Sequence, residues 1–153
     1  MRVPKLLAAF LLVLAAAGCS KPAPPHGRWE GGYQSNDKLI AARVEIGADG
    51  QVRISAPDLT NLALTRPEEL PAMRRQLASD LANGWDGVQP RPFDFDGDTF
   101  RKPGGVAPQM VWDKKTNAMT LELYIGANPA LPVPLKPVTE FHDDPFVATG
   151  GAQ

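Results

Sequence analysis

The chain has 153 residues, with 16 basic and 17 acidic side chains, a formal net charge of −1 and a single cysteine. One cysteine excludes an internal disulfide, so the core must be held by packing. The like-charge pairs Arg74-Arg75 and Lys114-Lys115 stand alone, which argues against a nucleic-acid-binding surface.

The N-terminus carries Arg2 and Lys5, then runs from Leu6 to Ala17 without a polar side chain. As a helix this run would be roughly 18 Å long, too short for a hydrocarbon core of about 30 Å. A basic start, a short apolar middle and a small-residue end read as a secretory signal peptide over residues 1–18. The run ends in Ala16-Ala17-Gly18-Cys19, with Leu14 before it. This resembles the lipobox of bacterial lipoproteins, with Ala16 where leucine is most frequent. The resemblance implies cleavage after Gly18, diacylglyceryl transfer to the Cys19 sulfur and acylation of the new amine, commonly with palmitate. Two or three acyl chains hold a protein firmly at a membrane, whereas one is marginal. In such lipoproteins an aspartate after the cysteine favours inner-membrane retention; here that residue is Ser20, so the expected location is the default, the periplasmic face of the outer membrane.

Residues 19–26 form the expected tether. Pro22, Pro24 and Pro25 fix φ and remove donors, giving an extended segment that reaches roughly 20 Å. Beyond the leader, 135 residues remain, enough for one domain with a real core, placed at residues 27–147. Within it, Gly27-Arg28-Trp29 resembles the G-x-W that opens the first strand of lipocalins and related small barrels. The residues themselves read as a tryptophan anchoring that strand in the core.

The hydrophobic period is then mostly two. Ala42, Val44 and Ile46 alternate with Arg43 and Glu45, and Val52 and Ile54 resume after a turn. A three-residue loop, Ala48-Asp49-Gly50, pairs Ile46 with Val52 and needs Gly50 in a left-handed conformation. A helix follows. Thr65 and Glu68 form a capping box, the regular part begins near Pro71, and Leu70, Met73, Leu77, Ala78 and Leu81 make the apolar stripe. Gly84 is the expected stop. A two-residue Asp96-Gly97 turn aligns Phe93 with Phe100, placing three phenylalanines on one face. Strands resume over residues 107–127, with Met119, Leu121, Leu123 and Ile125 on one side. In the last strand Leu131, Val133 and Leu135 alternate with Pro132 and Pro134, which reads as an edge strand closed to further pairing. A disordered tail is expected over residues 148–153.

Candidate chemistry is sparse. Asp94, Asp96 and Asp98 are spaced like a calcium loop, but Thr99 and Gly105 stand where its glycine and bidentate glutamate belong. Glu140, His142, Asp143 and Asp144 are metal-ligating types without a suitably spaced second histidine. The serines at 20, 35, 55 and 79 lack a nucleophile-elbow setting. No catalytic residue, metal or cofactor is therefore expected.

The expected fold is mainly β, an antiparallel sheet of about seven to nine strands forming a partly open barrel or sandwich with one mid-chain helix. The expected function is a lipid-anchored, non-catalytic envelope lipoprotein that binds a partner protein or an apolar ligand. Trp29, Tyr33, Trp85 and Trp112 are its candidate contacts. The alternative is a periplasmic hydrolase with a carboxylate-based site.

Overall fold

The computed structural model describes residues 22–34, 39–56, 66–105, 109–124 and 131–150. Gly18, Cys19, Ser20, Thr65 and Ile125 lie outside them. The chain is mainly β. Its strands are β1 (Gly27–Gln34), β2 (Leu39–Ile46), β3 (Val52–Ser55), β4 (Asp94–Phe95), β5 (Thr99–Arg101), β6 (Gln109–Asp113), β7 (Ala118–Leu123) and β8 (Leu131–Val138). They form one antiparallel sheet in the order β3-β2-β1-β8-β7-β6-β5-β4. This is chain order read around a ring, with the break between β3 and β4. The sheet curls into a half-barrel whose β3 edge is linked by a single bridge to the segment just before β4, where Val52 and Arg91 exchange backbone hydrogen bonds of 2.8 and 2.9 Å.

Period-two patterning explains the curl. Inward residues from strands all around the ring share one apolar core, with Trp29, Ile40, Val44, Ile46, Phe100 and Met110 among its fully buried members. β2 and β3 pair Ile46 with Val52 and Val44 with Ile54, and Gly50 adopts φ +79°, as the three-residue loop requires.

The β4–β5 turn departs from expectation. Asp94 faces Arg101 and Phe95 faces Phe100, so the central residues are Gly97 and Asp98 rather than Asp96 and Gly97. Gly97 takes φ +118° at the first central position, and the Asp96 carboxylate accepts from the Thr99 amide at 3.1 Å. The shift is by two residues, so the faces are unchanged, and the Phe95 and Phe100 rings pack 4.5 Å apart.

β8 is not an edge strand. Its first half pairs with β7, from Leu131 to Leu135, and its last residues pair with β1, from Lys136 to Val138. Alternate residues direct their N–H groups to opposite sides, so Pro132 and Pro134 lack donors only toward β1, whose ladder starts later. Pro137 lacks one only toward β7, whose ladder has already ended. The prolines hand the strand from one neighbour to the other.

The helix, α1 (Leu70–Trp85), is preceded by a 3-10 turn at Pro67–Glu69 and fills the connection across the ring's break. Pro71 sits in its first turn, where a missing N–H costs nothing. It runs through Gly84, the expected stop, to Trp85. Leu77 and Leu81 pack on Leu39 and Ala41, so β2 buries both faces.

Candidate functional site

Residues 139–150 form a strap over the outer face of β1 and β2. Asp144 precedes Pro145, and its Oδ1 accepts from the Phe146 amide at 3.0 Å, capping a 3-10 turn. The turn drives Phe146 into the layer of Leu39, Ala41, Leu77 and Leu81. Gly32 makes room, because a Cβ there would overlap the Phe146 ring. Thr149 Oγ1 then lies between the Gly32 and Phe146 carbonyls, at 3.4 and 3.3 Å, with its one proton shared between them. Residues 148–150 are thus a tied-down turn rather than part of a disordered tail, and residues 151–153 lie outside the described residues.

Beneath the strap lies a buried charge cluster. Glu30 is 0% exposed and Arg43 is 4% exposed. The Glu30 carboxylate accepts from the His142 amide at 2.9 Å and also meets His142 Nδ1. Arg43 Nε lies 3.5 Å from Glu30, and Arg43 Nη2 donates to the His142 carbonyl at 2.5 Å. One row along, Arg28 and Arg53 both bond Glu45, at 2.8 and 3.0 Å. Burial acts to raise the Glu45 carboxyl, and the hydrogen bonds from Arg28 and Arg53 outweigh it, leaving it below its usual range. Arg53 also stacks on Trp85 at 4.3 Å and donates to the Trp85 carbonyl at 2.7 Å. These alternating charges tie the strap and the helix end to the sheet.

A cleft of about 800 Å³ opens beside the strap. Arg74 reaches from α1 across to Asp144 at 2.7 Å and lies 4.6 Å over the Phe146 ring. Gln34, Leu70, Arg75, Ser79 and Asp143 line the rest, with the small side chains of α1 leaving the space open. Two arginines and two aspartates give the lining no net charge. Such a cleft suits a ligand that offers both polar signs and some apolar surface, as a peptide segment does.

The four aromatic candidates do not form one site: Trp29 and Trp112 converge on Asn117, Tyr33 and Trp85 lie elsewhere, and none lines this cleft. Trp29 is buried in the barrel, with its indole donating to the Asn117 carbonyl at 2.9 Å. Tyr33 is half-buried opposite Ile40, and Trp85 packs edge-on against Phe141 at 4.7 Å. Trp112 is half-buried and donates to the Asn117 side chain at 2.9 Å. Sequence reasoning took Asp144 only as a metal-ligating type and missed its cap on Phe146, its pairing with Arg74 and the Glu30–His142 contact. Asp144-Pro145 carried a usable signal, an N-cap type before a proline at the first helical position. Glu30 and His142, 112 positions apart, carried none.

Among the described residues, no group of three or more His, Cys, Asp or Glu is placed to hold a metal ion, and no helix is long and apolar enough to cross a membrane. Comparison with protein-family profiles, curated proteins and solved structures gives no match.

Proposed function

We propose that this chain is a lipid-anchored envelope protein whose β domain binds a partner protein through the cleft between α1 and the strap. The lipobox-like Ala16-Ala17-Gly18-Cys19 supports the anchor, and with Ser20 it supports the periplasmic face of the outer membrane. The observation that carries the binding reading is the contrast between the two spaces. The barrel is filled by Trp29, Phe100, Met110, Met119 and Leu121, each at most 1% exposed, whereas the cleft is open and mixed in polarity. A filled interior favours a partner at the surface over an apolar ligand inside. The hydrolase reading draws less support, because both oxygens of Asp144 are engaged, one capping Phe146 and the other pairing with Arg74, which leaves Asp143 as the one other carboxylate among the cleft's lining residues.

A photo-crosslinking side chain at Ser79, in the full lipidated chain in intact cells, tests the reading. The expected result is a discrete adduct at Ser79 and none at the outward Val111 on β6. Failure to form an adduct at Ser79 would overturn the cleft as the contact. Intact mass of the mature chain tests the anchor separately: acyl additions are expected at Cys19, and an unmodified thiol there removes it.

A further inference from the structure

The tether does not leave the domain as a free spacer. The Pro22 ring lies over Gly97, where an added Cβ would approach its Cγ to 3.1 Å, and the Pro24 ring lies over Gly50, with the corresponding separation 3.7 Å. Pro24 and Pro25 are half-buried. Gly50 is in the β2–β3 turn and Gly97 in the β4–β5 turn, so the segment crosses the two hairpins that flank the break in the ring. The β6–β7 turn belongs to the same end, since Trp29 reaches Asn117 there and the Trp112 amide donates to the Asp98 carbonyl at 2.7 Å.

We infer that this barrel end is a membrane-facing surface, held in a fixed orientation against the lipid headgroups by the docked tether. The inference rests on the lipid-anchor reading above. Cys19 is three residues before Pro22, so its Cα lies within about 11 Å of that of Pro22. An acyl group on Cys19 therefore enters the bilayer beside the β4–β5 turn. The end carries Asp49, Asp96, Asp98 and Asp113 against Lys114 and Lys115, so it is polar with an excess of acids and does not insert, and the docked tether rather than attraction to the headgroups sets its orientation. The opposite end of β1, at Gln34, stands roughly 23 Å farther from the anchor. Gln34 and Pro67 both line the cleft, which therefore opens away from the bilayer, toward partners in the envelope space.

Once Cys19 carries lipid, an introduced cysteine is the only free thiol, so single fluorophores can be placed at will. The lipidated full chain bearing Ala48→Cys, Lys115→Cys or Glu68→Cys is reconstituted into phosphatidylethanolamine–phosphatidylglycerol vesicles containing a headgroup nitroxide lipid. Given the ~23 Å between the two ends, quenching at positions 48 and 115 should exceed that at 68 by at least about threefold. Replacing Pro22 and Pro24 with glycine, which undocks the tether without touching the barrel, should bring the three positions close to equality while the protein still floats with the vesicles. Equal quenching in the unaltered tether, or stronger quenching at 68, overturns the orientation and leaves the anchor standing. Unequal quenching that survives the glycine replacements overturns the docked tether as its cause. Finding no acyl group on Cys19 removes both readings together.

Discussion

At the barrel end where β1 begins, the Asn117 carbonyl accepts from the Trp29 indole and its side-chain oxygen accepts from the Trp112 indole, both at 2.9 Å. Asn117 does this from φ +52°, the only positive φ at a non-glycine residue among those described. Asparagine tolerates that conformation better than most side chains, and its side chain also supplies the second acceptor. Asn117→Ala loses both features and is expected to destabilise by about 2 kcal/mol, whereas Asn117→Gly keeps the backbone and costs about 1 kcal/mol. Urea midpoints check the order, and equal midpoints for the two variants would remove the backbone argument. Asp96 makes a pH-dependent contribution of the same local kind. The hydrogen bond from Arg101, helped by the Thr99 amide, lowers its pKa to about 2. A carboxyl depressed on folding stabilises above its unfolded pKa of about 4, and that stability is lost as pH falls through about 2. Asp96→Asn lacks this component, so the stability gap between wild type and variant should be constant above about pH 5 and close between about pH 4 and 2. Paired urea melts across that window check it, and a gap that widened on acidification would contradict the sign.

The strands differ in how much of their environment their own residues carry. The β2–β3 hairpin was legible because alternation, turn length and Gly50 all specify one register. The β4–β5 register was misplaced by two residues because either choice keeps Phe93, Phe95 and Phe100 on one face, and only the backbone of Gly97 decides. β8 was misread for a deeper reason. Pro132 and Pro134 show which side lacks donors, but not that β1 pairs only beyond them, at Lys136–Val138. The strap was illegible because its polar residues acquire meaning only from Glu30 and Arg74 at distant positions. The corrected place of β8 has a measurable consequence. With β7 on one side and β1 on the other, Pro132→Thr with Pro134→Thr restores donors that face no free edge. The double variant should stay monomeric in sedimentation as concentration rises. Concentration-dependent association would restore the edge-strand reading.

The described residues form two apolar layers that share β2. Ile40, Ala42, Val44 and Ile46 of β2 point into the barrel, while Leu39 and Ala41 of the same strand point out to Leu77, Leu81 and Phe146. A strand with both faces buried cannot release one layer without exposing its other neighbours, because the backbone that positions Ala41 also positions Ile40 and Ala42. The buried Glu30–Arg43 pair strengthens the link, since lifting the strap would leave two charges on β1 and β2 short of their His142 partner groups. The helix and strap should therefore unfold together with the barrel, although α1 sits in the connection that spans the ring's break. Native-state hydrogen exchange measures this directly. The slowest amides of α1, at Leu77, Ala78 and Leu81, should share one opening free energy with those of Val44 and Leu121, within about 1 kcal/mol, and fall with denaturant at the same slope. A helix opening several kcal/mol below the barrel, with a shallow slope, would make the outer layer a separate unit. The double-faced β2 would then not be what couples the cleft to the rest of the fold.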